Sequence, residues 1–269
     1  MKRLFIIAAA LGFMAAPAAL AQDNLILNHV ALGLNVGTDG LGATVAMPVG
    51  EHFQVRAGYV NGTIFMGSLN PLTSTIDVGL NSNGIDIKTL DLTTSARMNH
   101  GNILADYYIG AKSSFHFTAG LYFGTKSFSN IVLTPKDSSG KPAITGSDVA
   151  NTAIYGITSD TEGNILADLG FGMAVKPYLG IGFGRPVSMK HRVGFNFDLG
   201  VLFCGGYHLW SYNYRDDPAN PTAVEINEDW FKQINDIPAE VKDYTSYLNT
   251  LNGFPIYPVA KLSVFVRLF

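Results

Sequence analysis

The alternation of bulky and small residues between positions 163 and 203 organises the chain. Ile165, Ala167, Leu169, Phe171, Met173, Val175, Pro177, Leu179, Ile181 and Phe183 fill the odd positions with apolar groups. The even positions hold Asp168, Gly170, Gly172, Lys176, Tyr178, Gly180, Gly182 and Gly184. A period of two describes a β-strand with two unlike faces. After the polar link 185–191 the pattern resumes, with Val193, Phe195, Phe197, Leu199, Val201 and Phe203 opposed to Gly194, Asn196, Asp198 and Gly200. The parity does not change at Pro177, so the spacing predicts one long strand through it with a local kink. The polar face is mostly glycine with an occasional charge. A crowded interior has that composition and a solvated face does not, so the bulky face is expected to meet lipid.

The same alternation predicts strands over about 28–36, 41–47, from 53 onward, 101–110, 115–125 and 258–269. With the two above they make eight. The fold class expected is all-β, an antiparallel up-and-down transmembrane β-barrel. If Pro177 and the 76–92 region are real turns, the count rises to ten or twelve. Residues 62–100 and 126–162 are long polar connections, and the alternation at 85–92 predicts that strands continue into the first of them as a projecting hairpin. Thr38-Asp39-Gly40 reads as a tight turn. The hexapeptide Gly-Asn-Ile-Leu-Ala-Asp occurs at 101–106 and again at 163–168, which suggests that two strands begin in equivalent places. Ile226, Trp230, Ile234, Ile237, Val241, Tyr244, Leu248 and Leu251 recur at helical spacing, so a short amphipathic helical segment over 225–252 is expected in the last loop.

Composition sharpens the picture. Only 14% of the 269 residues are charged and the formal net charge is −3, so no nucleic-acid partner is expected. Mean hydropathy is +0.19, yet beyond residue 21 no apolar run is long enough for a membrane helix. Residues 1–21 read as a cleaved signal peptide: Lys2 and Arg3, a short apolar run, then Ala19-Leu20-Ala21. Residues 22–269 are then the barrel domain of an exported monomer. The single Cys204 excludes an internal disulfide framework.

The inward parity collects Arg56, Asp106, His116, Asp168, Lys176, Asn196, Asp198, Lys261 and Arg267. This set reads either as a polar path, with or without a catalytic pair, or as a charge network that fills the lumen. An eight-stranded barrel is just wide enough for side chains to fill, and buried charges must be paired, which favours the network. Phe117, Phe171, Ile181, Phe195, Phe197 and Leu199 are the lipid-facing set. The six histidines show no metal-ligand spacing, and no metal or cofactor is expected. Asp160, Asp216 and Asp217 with His100 or His208 are the residues from which a loop-top lipid or peptide hydrolase would be built.

The signal peptide, the paired-parity strands, Pro-Tyr-Leu-Gly-Ile-Gly-Phe-Gly at 177–184, Gly-Phe-Asn-Phe-Asp-Leu-Gly at 194–200 and the terminal Phe269 resemble small Gram-negative outer-membrane barrels of the OmpA-like or OmpW-like, porin-like type. The resemblance implies an outer-membrane location, lipid as the surrounding partner, and recognition by the barrel-insertion machinery through the C-terminal strand and Phe269. It implies no single activity. A structural or surface-interaction role is expected. The alternatives are a narrow pore or small-hydrophobe transporter, the loop-top hydrolase, and a soluble periplasmic ligand-binding barrel.

Overall fold

Alternation of side chains becomes two sheets. The computed structural model describes residues 29–62, 72–82, 84–96, 98–146, 153–154, 157–187, 191–215, 217–227, 229–230, 250 and 252–268. Eight strands close a barrel: β1 (Ala31–Gly37), β2 (Gly40–Val49), β3 (Phe53–Asn61), β6 (Asn99–Tyr108), β7 (Phe115–Gly124), β12 (Val175–Gly184), β13 (Val193–Phe203) and β16 (Ile256–Arg267). Every neighbouring pair is antiparallel, in the ring order β1-β16-β13-β12-β7-β6-β3-β2. Closure leaves no free edge in the barrel.

A second sheet of six strands continues the barrel strands past one end. It contains β4 (Leu72–Ser82), β5 (Ile85–Ala96), β8 (Ser127–Lys136), β11 (Ile165–Phe171), β14 (Tyr207–Asn213) and β15 (Thr222–Glu225), in the order β15-β14-β11-β8-β5-β4. The two-stranded ribbon of β9 (Ala153–Ile154) and β10 (Ile157–Thr158) is a separate small sheet beside β14, where Thr158 Oγ1 donates to Asn213 Oδ1 at 3.0 Å. Between the two sheets runs a seam of short breaks at 98, 125–126, 172–174 and 204–206. Backbone bonds bridge it, among them Phe171 N–H to Lys126 O at 2.9 Å and Met173 N–H to Cys204 O at 3.0 Å. Gly205 and Gly206 take φ of +72° and +100° there, angles open to glycine at little cost.

The seam corrects the single long strand expected over 165–183. That stretch is two strands in different sheets, broken at Gly172-Met173-Ala174 and not at Pro177. Pro177 lies inside β12 opposite Leu121 of β7, and pairing with β13 begins only at Tyr178. The projecting hairpin expected at 76–92 is β4 and β5, one third of a larger sheet. Residues 207–213 and 222–225, read as loop, are strands of that sheet. The expected helical segment falls mostly at 231–249, outside the described residues, as do the signal peptide and Phe269.

Outside the barrel the bulky residues are bare. Phe117 is 49% exposed, Ile181 43%, Phe195 62%, Phe197 46% and Leu199 49%. Phe171 departs from this set. It is 0% exposed, because its strand belongs to the projecting sheet, where the odd positions point inward. It packs with Met98 and Cys204, and with Phe128, Tyr207 and Tyr257. The projecting sheet has its own apolar core of Ile87, Ile144 and Ile165 flanked by Leu90 and Leu133. Among the described residues no helix is long and apolar enough to cross a membrane.

Candidate functional site

The barrel lumen is built as a stack of side chains, because inward positions on eight strands converge on one axis. At the end where the chain leaves β12 through 185–187, Phe265, Ala31, Ala46 and Val187 form an apolar stopper. Gln54 holds the turn by two bonds: its Nε2 donates to Val187 O at 2.9 Å, and its Oε1 accepts from Val187 N–H at 3.2 Å. Phe265 fits because Gly33 opposes it; a Cβ on Gly33 would lie 2.4 Å from the ring.

Above the stopper sits the ion layer. Arg56 leaves β3 and reaches β13, which stands diametrically opposite, with three strands between them either way round the ring. Its Nη1 donates to Asp198 Oδ2 at 2.6 Å, and Nη2 to Asp198 Oδ1 at 3.0 Å and Asp106 Oδ1 at 2.7 Å. Thr118 Oγ1 donates to Asp106 Oδ1 at 2.8 Å, Asn196 Nδ2 to Asp198 Oδ2 at 2.8 Å, and His116 Nε2 lies 3.1 Å from Asp198 Oδ1. Gly182 makes the room: a Cβ there would meet His116 Nε2 at 2.2 Å and Asp198 Oδ1 at 2.7 Å.

The next layer is aromatic and apolar, with Tyr122, Tyr178, Leu104, Leu202 and Val259. Lys261 crosses it, donating to Tyr122 Oη at 2.7 Å and pairing with Asp39 at 2.7 Å. At the seam, Lys176 Nζ donates to His100 Nε2 at 3.2 Å and lies 5.1 Å from the centre of the Phe171 ring. The Phe171–Phe128 stack, with centroids 4.5 Å apart, and Tyr257 close the lumen at this end. The fully charged side chains buried among the described residues are Arg56, Lys176 and Lys261 against Asp39, Asp106 and Asp198. Three cations balance three carboxylates, as a medium of low dielectric demands.

Of the residues the sequence assigns to the lumen, Arg56, Asp106, His116, Asn196 and Asp198 meet in one cluster, and Lys176 and Lys261 occupy separate layers above it. Two are elsewhere. Asp168 lies on the outer face of the projecting sheet, where its carboxylate accepts from Asn130 Nδ2 at 2.9 Å and Tyr212 Oη at 2.5 Å. Its strand turns over at the seam, so lumen parity there becomes solvent parity. Arg267 keeps the inward parity but sits half-buried at the rim, beyond Phe265. Sequence reasoning missed Asp39, placed in a surface turn and found fully buried against Lys261. The available signal was charge balance. Without Asp168 and Arg267, three inward cations face two carboxylates.

Asp106, His116 and Asp198 offer three ligand atoms within 4.8 Å of one another. A metal does not fit between them, because the Arg56 guanidinium already occupies the space and bonds both carboxylates. The residues for a loop-top hydrolase are not brought together. His100 is buried in the lumen. Asp160 and Asp217 each accept backbone N–H bonds within their own turns. His208 pairs with Glu225 at 2.5 Å, and Asp216 lies outside the described residues. Hydrogen bonds from Asn220 and the turn backbone hold the Asp217 carboxyl below the usual carboxylate range. Bonds from Ser139 and the Lys141 backbone do the same for Asp137.

These features define a closed eight-stranded antiparallel barrel with an apolar exterior and a filled polar lumen. No protein-family model matches the chain, and no curated protein matches it. Among the solved structures similar to it are Acinetobacter baumannii CarO and CarO2. The first shares 17% identity at a TM-score of 0.46, over 91% of this chain and 99% of that one. The second shares 16% at 0.46, over 91% and 100%. A likeness of this degree says nothing of ligand or activity.

Proposed function

We propose that the chain is an outer-membrane barrel whose lumen is closed, and that it acts as a structural or surface-interaction protein and not as a catalyst. One observation carries the reading. The Arg56–Asp198 pair joins diametrically opposite strands across the lumen, and Arg56 also bonds Asp106 on the strand beside its own. The Phe265–Val187 stopper and the Phe171 lid back it on either side. An exterior of bare Leu, Ile, Val and Phe supports residence in lipid, since no water-soluble barrel leaves such a belt exposed. Contacts with other molecules then fall to the projecting sheet and its loops.

The test is planar-bilayer recording of the detergent-purified protein. The wild type is expected to stay silent, and Arg56→Ala with Val187→Gly to raise conductance. A wild type that conducts steadily contradicts the closed lumen. A second reading, a narrow pore, draws on lumen polar atoms without a protein partner: Arg56 Nε, Asp39 Oδ1, Asp106 Oδ2 and Asn196 Oδ1. Steady wild-type conductance that changes with Arg56→Lys would favour it.

A further inference from the structure

The outer face of the projecting sheet carries a row of polar and aromatic side chains that the closed lumen does not use. Reading straight across the ladder, Glu225 opposes Trp210, Trp210 opposes Asp168, Asp168 opposes Asn130, and Asn130 opposes Ser95. Directly opposed residues share a face, so five strands contribute to one line. Trp210 reaches over Gly170, where a Cβ would come within 2.6 Å of its ring. His208 is stacked beside it, with centroids 5.5 Å apart and planes at 13°. The result is a half-exposed aromatic floor between two carboxylates, each fixed in orientation: Glu225 by His208, and Asp168 by Asn130 and Tyr212.

The position of the row is as telling as its chemistry. On each of three strand pairs it lies seven residues past a residue of the apolar belt: Phe203 to Trp210, Val175 to Asp168, Phe123 to Asn130. It therefore lies past the seam end of the belt. Seven residues of unbroken strand cover about 23 Å, so with the seam kink inside each span the row lies at most about 16–19 Å past the belt at membrane-barrel tilt. Phospholipid headgroups occupy only about 5–8 Å outside the hydrocarbon. The row therefore begins among or beyond the headgroups and not beside acyl chains. It also contains no Lys or Arg, so it is poorly suited to phosphate. Fixed carboxylates and an amide beside an open aromatic ring suit the hydroxyls and the apolar C–H face of a sugar ring.

We propose that this row is a docking platform for the neutral sugar units of glycolipid headgroups in the outer leaflet. It continues the lipid-facing belt upward, and the proposal rests on the membrane reading above. The sugar stacks on Trp210, while Asp168 and Glu225 accept bonds from its hydroxyls.

The test uses the full mature chain with Trp230→Phe, which leaves Trp210 as its one tryptophan. The protein is inserted in vesicles of phosphatidylcholine alone, with added phosphatidylglycerol, or with added digalactosyl diacylglycerol. The Trp210 emission is expected to shift with the galactolipid and not with the other two. The shift is expected to need at least fivefold more galactolipid in Asp168→Asn and Glu225→Gln. Melting of each variant in phosphatidylcholine shows that the sheet is intact. No galactolipid shift, an equal shift with phosphatidylglycerol, or saturation by free digalactose alone overturns the platform. Failure of the protein to float with any vesicle overturns the membrane reading instead.

Discussion

Gly-Asn-Ile-Leu-Ala-Asp occurs twice, and the two copies face opposite ways. In β6, Ile103 is 53% exposed on the barrel exterior, while Leu104 and Asp106 are buried in the lumen. In β11, Ile165 is 5% exposed inside the projecting sheet, and Asp168 points outward. The residues are identical, and so is the alternation. On the membrane reading proposed above, what differs is the medium: below the seam lipid surrounds the strand and the lumen takes the charge, and above it water surrounds the sheet and the core takes the isoleucine. Period two specifies that a strand has two faces, and the surroundings decide which one is inside.

Matched substitutions in the two copies sharpen that contrast. Asp106→Asn strips one carboxylate from the buried Arg56 cluster and is expected to cost about 3–5 kcal/mol. Asp168→Asn removes charge from hydrogen bonds on a half-exposed face, for about 0.5–1.5 kcal/mol. Urea unfolding in lipid vesicles measures both, and equal costs would break the contrast. Ile165→Ala should follow at about 2–5 kcal/mol, with Ile103→Ala well below it because acyl chains refill the site. Gly182→Ala forces a methyl group onto His116 and Asp198, for about 1–3 kcal/mol of overpacking. Gly140→Ala meets no atom, and its effect comes only from its φ of +78°.

The smallest expected effect is one of pH. The folded Asp137 carboxyl titrates below its unfolded value, so its contribution to loop order is present above the ordinary carboxylate pKa. It fades as pH falls through the depressed folded one. The protection factors of the Ser139 and Lys141 amides, whose N–H groups donate to Asp137, should fall in that acid range. Unchanged protection there would remove the cap.

The eight barrel strands and the inward cluster of Arg56, Asp106 and Asp198 were legible in the sequence, because alternation and charge lie on single strands. Phe171 and Asp168 were not, since a three-residue kink reverses facing without disturbing parity. Asp39 was hidden by turn chemistry: Thr-Asp-Gly reads as a surface turn whether its carboxylate meets water or reaches down to Lys261. Strands β14 and β15 are short and mixed in character, and they owe their conformation to pairing with β11 and with each other more than to their own pattern.

Inversion at the seam is tested most directly by nitroxide labels at single cysteines replacing Ile103 and Ile165, in a Cys204→Ala chain reconstituted in lipid. Collision with oxygen, which concentrates in hydrocarbon, is compared with collision with a water-soluble nickel chelate. The label at 103 should meet oxygen and not nickel, and the label at 165 neither. Equal oxygen access at the two positions would contradict the inversion.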